Sequence, residues 1–83
     1  MSAVNLCFHA TEMELKELLP KLHEKEIYPS IEPITDSEGN DTGKRIVDYD
    51  VYYFSYSEVE EVIAQFRELD IDPYESDYPE DYF

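Results

Sequence analysis

Residues 45–60 read Arg45-Ile46-Val47-Asp48-Tyr49-Asp50-Val51-Tyr52-Tyr53-Phe54-Ser55-Tyr56-Ser57-Glu58-Val59-Glu60, and the pattern changes period partway along. As far as Tyr56 it alternates. Val47, Tyr49, Val51 and Tyr53 fall on one face, and Asp48, Asp50, Tyr52 and Phe54 on the other. Alternating β-branched and aromatic residues predict a strand over 45–56. Neither face is wholly polar, which predicts a central position or a bulge. From Ser57 the period becomes helical. Ser57 and Glu60 have the spacing of a capping box, and Val59, Val62, Ile63, Phe66 and Leu69 form one apolar stripe. Pro73 reads as the stop of that helix.

Towards the N-terminus the same succession occurs. Val4, Leu6 and Phe8 alternate with Asn5, Cys7 and His9, predicting a strand over Val4–Ala10. Thr11 and Glu14 form a capping box. Leu15, Leu18, Leu19 and Leu22 follow at i, i+3, i+4, i+7. Pro20 predicts a kink or a restart within this helix, which should end near Ile27 because Tyr28-Pro29 favours extended backbone. Tyr28 to Ile34 reads as a strand, and Pro29 and Pro33 confine it to an edge. Residues 36–43, Asp-Ser-Glu-Gly-Asn-Asp-Thr-Gly, read as a turn.

Phe8-His9-Ala10-Thr11-Glu12-Met13-Glu14 echoes Phe54-Ser55-Tyr56-Ser57-Glu58-Val59-Glu60 at an offset of 46, and Ile27-Tyr28-Pro29 echoes Ile71-Asp72-Pro73 at slightly different spacing. A βαβ unit used twice gives βαββαβ, the ferredoxin-like plan, with strands one and three central and the proline-bearing strands at the edges. The expected fold is therefore a small α+β domain, βαββα(β), with two helices on one face of an antiparallel sheet. Residues 1–72 would form the domain, and 73–83 an acidic, tyrosine-rich tail or edge strand. A βαββ sheet with a second helix and a loose tail is the alternative.

The charge is extreme and uneven. The 83-residue chain holds 21 acidic and 6 basic residues, a net charge of −15, yet it is 42% hydrophobic with eight Tyr and four Phe. Acidic disordered chains are poor in such residues, so most of the chain should fold. Residues 1–47 carry a net charge of −4, and residues 48–83, with Arg67 as their one base, −11. Such a half repels nucleic acid and anionic membranes and favours a basic protein surface, a polyamine or a metal ion. No segment reads as a signal peptide or membrane span, so the cytoplasm, of a host cell if the chain is phage-encoded, is the expected location.

Catalytic and metal-binding patterns are absent from the sequence. Cys7 is the single cysteine and reads as a small buried residue. Starting from Asp36, an EF-hand loop would need Gly and Glu where Asp41 and Val47 stand. His9 and His23 have no partner at ligand spacing, and a chain of this size should have little room for a cleft of several hundred Å³. No enzyme activity and no cofactor are expected.

The acids and tyrosines are the candidate partner-binding residues: Asp48, Asp50 and Tyr52 on the long strand; Glu58, Glu61 and Glu68 on the second helix; then Asp70, Asp72, Tyr74, Glu75, Asp77, Tyr78, Glu80, Asp81 and Tyr82. Carboxylates two apart on a strand are separated by about 6.5 Å, and those three or four apart on a helix by about 5–6 Å. Neighbouring phosphates on a nucleic-acid strand have similar spacings. Tyrosine adds a ring face for cations and is frequent at interface hot spots. The expectation is an acidic inhibitor that mimics nucleic acid and blocks a basic nucleic-acid-binding protein, of the phage anti-defence type (anti-CRISPR or anti-restriction). The alternatives are an antitoxin or immunity protein for a basic nuclease toxin, and a small regulatory adaptor acting through its tail. Edge prolines favour a monomer, with a dimer through the tyrosine-bearing sheet face as the other option.

Overall fold

The computed structural model describes residues 2–76. Strand β1 (Ser2–Thr11) leads into helix α1 (Glu12–Glu24); β2 (Ser30–Thr35) and β3 (Asp41–Tyr53) form a hairpin; α2 (Tyr56–Arg67) and β4 (Tyr74–Ser76) complete the chain. The sheet order is β2-β3-β1-β4, with every neighbouring pair antiparallel. This is the ferredoxin-like order, with β1 and β3 central and the proline-bearing β2 at an edge. Both helices pack on one face. Leu15 and Leu22 of α1 and Val59 and Phe66 of α2 meet Leu6, Phe8, Val47 and Val51 in one apolar cluster. No helix among the described residues is long and apolar enough to cross a membrane.

The helix boundaries correct the sequence reading. α2 is capped by Ser55, two residues earlier than Ser57. The Glu58 carboxylate, and not that of Glu60, accepts from the backbone N–H groups of Phe54 (2.6 Å) and Ser55 (3.0 Å). Those donors are exposed as β3 ends at Tyr53, so a carboxylate three residues into the helix satisfies both. In α1, Thr11 and Glu14 form the expected box (2.9 and 3.1 Å). α1 then runs without interruption through Pro20. Pro20 and Lys16, whose carbonyl loses its helical donor, are both exposed, so water can serve that carbonyl while the leucine stripe holds the helix on the sheet.

Neither helix reaches its expected end. α1 stops at Glu24, short of Ile27, and α2 at Arg67, well before Pro73. In α1, the N–H of Ile27 donates to Leu22 O (2.9 Å) and that of Glu26 to His23 O (3.0 Å). In α2, Ile71 donates to Phe66 O (3.1 Å) and Asp70 to Arg67 O (3.0 Å). Both are Schellman turns. The left-handed position, normally Gly, is held by Glu26 and Asp70, each at φ 61°. The helical echo therefore has an offset of 44, not 46: Thr11 matches Ser55, Leu22 matches Phe66, and Ile27 matches Ile71.

The hairpin departs from expectation at its turn. β3 begins at Asp41, four residues before Arg45, and ends at Tyr53. Asp36 Oδ1 accepts from the N–H groups of Glu38 and Asn40 (2.9 Å each), with Gly39 at φ 85°. A bulge follows between Pro33 and Thr35 of β2, opposite Gly43 at φ 81° in β3. β4 is three residues long and pairs with Asn5–Cys7. Residues 74–76 thus form one edge of the sheet.

Candidate functional site: an acidic sheet face and an edge groove

The register of the central strands places Asn5 opposite Asp50 and Cys7 opposite Asp48. These residues point away from the apolar cluster, onto the sheet face that neither helix covers. Glu32 of β2 pairs with Ile46 in the next row, and Tyr52 pairs with Ala3 at the other end. Tyr74 and Ser76 of β4 flank Cys7 and Asn5.

Asn5 organises the centre of this face. It is only 6% exposed, and its Nδ2 donates to Asp50 Oδ1 at 2.8 Å and to Asp48 Oδ1 at 3.3 Å. Its Oδ1 accepts from the Cys7 thiol at 2.7 Å. One amide thus spans two carboxylates and holds them in place. Burial, then the charge of Asp48 and, more weakly, of Asp50, pushes the Cys7 thiol up despite an opposing hydrogen bond from Ser76. A raised thiol beside carboxylates is a poor nucleophile. Cys7 is buried as expected, but in a polar row rather than in the apolar core.

An open four-stranded sheet face can bind RNA when its central strands carry stacking aromatics. Here the middle of β3 carries Asp48 and Asp50, with the exposed Tyr52 beside them.

The remaining candidates are dispersed. Glu58 caps α2, and its two backbone donors, Ser55 first and then Phe54, hold its carboxyl below the usual range. Glu68 forms an ion pair with Lys25 across the helix layer. Asp72 meets Arg67 at 3.6 Å. Glu75 accepts from the Tyr56 hydroxyl, and that bond is the main reason the phenol is pushed up. Glu61, midway along α2, and Asp70, just beyond its end, are both exposed. Among the tyrosines, Tyr49 and Tyr53 pack against the core, while Tyr52 is 67% exposed. Asp77, Tyr78, Glu80, Asp81 and Tyr82 lie outside the described residues. The structure thus gathers Asp48, Asp50, Tyr52 and Tyr74 on one face and distributes the helical acids elsewhere.

Comparison with protein-family models, curated proteins and solved structures finds no match.

One feature contradicts the sequence reading outright. A groove of about 530 Å³ opens beside the short β4, in the range of small-ligand sites, roughly 300–1,000 Å³. β4 reaches only Cys7, so α1 and the segment joining α2 to β4 wall the groove where β1 continues. His9 and Tyr74 lie where the groove meets the acidic face, joined by a 3.0 Å hydrogen bond between His9 Nε2 and the Tyr74 hydroxyl. His23 serves differently, stacking on Tyr28 with centroids 5.0 Å apart. The described residues contain no cluster of His, Cys, Asp and Glu able to hold a metal ion.

Sequence reasoning missed Asn5 and the groove. Asn5 is an ordinary polar position in an alternating strand, and only the β1–β3 register brings it to Asp48 and Asp50.

Proposed function

We propose that this protein is an acidic inhibitor that occupies the nucleic-acid-binding surface of a basic protein, its carboxylates standing in for phosphates. The supporting observation is the Asn5-bridged pair Asp48 and Asp50 on the sheet face away from the helices. Two strand positions apart on β3, the two carboxylates converge on one Asn5 nitrogen, at 2.8 and 3.3 Å. They are held by a buried amide, in contrast to the mobile carboxylates of a merely solubilising surface.

The overall electrostatics agree. Ion pairing among the described residues engages only Lys25, Arg45 and Arg67 of the six bases. Among the described residues, four acids, Glu12, Asp41, Glu68 and Asp72, take part in these ion pairs, so acids far outnumber the cations that pair with them. A net charge of −15 also exceeds the value of about 2–8 that keeps a small domain soluble. Tyr52 and Tyr74 border the pair and offer ring faces to incoming Arg or Lys. A phage anti-defence role, as an anti-CRISPR or anti-restriction protein, is the biological setting in which such an inhibitor is most useful.

The test is capture from a nuclease-treated bacterial lysate on tagged full-length protein, followed by elution with added DNA or RNA. The expected result is retention of a nucleic-acid-binding protein that nucleic acid displaces and that Asp48→Asn/Asp50→Asn fails to retain. Capture that is indifferent to both nucleic acid and the double substitution overturns the proposal.

A further inference from the structure

The groove beside β4 has two chemically distinct parts. Its floor is apolar, with Leu18 from α1 and Leu69 and Ile71 from the segment after α2. Its rim is anionic, with Glu17 on one wall and Asp70 and Asp72 on the other. Among the described residues, no Lys or Arg lines it. Glu14 adds a further negative charge, since its bonds to the Thr11 backbone and hydroxyl hold its carboxyl below the usual range. Asp72 already meets Arg67 at 3.6 Å, so a neutral apolar ligand would leave Glu17 and Asp70 uncompensated, and a fully hydrated cation would leave the floor unused.

We propose that this groove takes a Lys- or Arg-bearing apolar segment of a protein partner. The aliphatic stem of such a side chain covers apolar surface while its charged end reaches carboxylates. Neighbouring apolar side chains of the same segment fill the rest of the floor. The volume favours a peptide over a linear polyamine, whose evenly spaced charges would place cationic groups against Leu18 and Leu69. Tyr74 ends the groove with a partly exposed ring, a favourable neighbour for guanidinium. The groove and the acidic sheet face meet at His9 and Tyr74, so one partner can contact both. The inference rests on the reading that the partner is a basic protein, and it assigns that partner an anchor distinct from the Asp48–Asp50 face.

The probe is a capped Leu-Arg-Leu-Arg peptide titrated into the isotope-labelled full chain, observed by amide and methyl NMR, with spermine in a parallel titration. The expected result is saturable shifts at the Leu18, Leu69 and Ile71 methyls. Glu17→Gln/Asp70→Asn/Asp72→Asn should weaken binding about tenfold, as expected when several exposed charge contacts are lost together, whereas Asp48→Asn/Asp50→Asn should leave it within about twofold. Asn at position 70 tolerates the left-handed backbone there, so the triple variant should remain folded, and the wild-type shifts report on the groove independently. Shifts confined to the sheet face overturn the groove assignment while leaving the proposed function standing. Spermine binding in the groove without peptide binding overturns the choice of occupant, and the absence of shifts at millimolar peptide overturns the inference altogether. Loss of nucleic-acid-displaceable capture from lysate would instead mark failure of the functional reading.

Discussion

Replacing Glu26 by Gly should stabilise this protein, although glycine usually weakens a fold. Glu26 is exposed and ends α1 at φ 61°. A side chain with a Cβ pays about 1–2 kcal/mol for a left-handed backbone. Glycine removes that strain but returns about 0.4–1 kcal/mol through the greater freedom of its unfolded chain. The difference leaves a gain of up to about 1.6 kcal/mol, with a midpoint of about 0.8 kcal/mol, or about 3–6 °C in Tm for a domain of this length. Both Schellman hydrogen bonds are made by main-chain atoms and survive the change. Removing one of 21 acids from a chain at −15 also relieves repulsion, so Glu26→Gln is the necessary control. It removes the charge and keeps the Cβ. Urea denaturation of wild type, Glu26→Gly and Glu26→Gln separates the two effects. If Glu26→Gly is no more stable than Glu26→Gln, backbone strain at the end of α1 is not a cost in this fold and the reasoning fails.

Three further outcomes are expected. Leu22 is fully buried between α1 and the sheet, so Leu22→Ala should cost about 2–5 kcal/mol in denaturant titrations; a cost below about 1 kcal/mol would mean that the site collapses around the truncation. Glu58 has its carboxyl lowered by the Ser55 and Phe54 N–H groups, so its contribution is complete above the ordinary glutamate range and lost as pH falls through the lowered value; wild type should exceed Glu58→Gln in stability at pH 7, and a gap unchanged at low pH would contradict the assignment. Cys7 is buried with its thiol pushed up, so it should resist a thiol-specific disulfide reagent at neutral pH until the chain unfolds, and rapid labelling of the native protein would refute this.

Element order was legible because it depends on local period. The alternation of Val47, Tyr49, Val51 and Tyr53 and the stripe Val59, Val62, Ile63, Phe66 are one-dimensional signals, and the prolines marked edges for the simple reason that they lack a donor. Boundaries were less legible where two local solutions overlap. Ser55-x-x-Glu58 and Ser57-x-x-Glu60 satisfy the same capping rule, and only the end of β3 selects the first. Likewise Glu26 and Asp70 conceal two Schellman turns, because sequence reading looks for glycine there. The site was legible only in part. Asp48 and Asp50 were identifiable as a same-face pair, but their tie to Asn5 spans 43 and 45 residues. The groove combines side chains from β1, α1 and the α2–β4 segment, and no sequence window contains it.

The register that assembles the acidic face also shapes the kinetics of folding. The β2–β3 hairpin closes locally through the turn at Asp36–Asn40, whereas the central ladder joins Thr11 to Lys44 and Ser2 to Tyr53, residues 33 and 51 positions apart. Chain entropy must be lost over these distances before the ladder returns any stabilisation, and topologies dominated by such contacts fold slowly for their size. β1 is the first strand in the sequence, yet it cannot complete its central ladder until β3 is available, and β4 has no strand to join until β1 is in place.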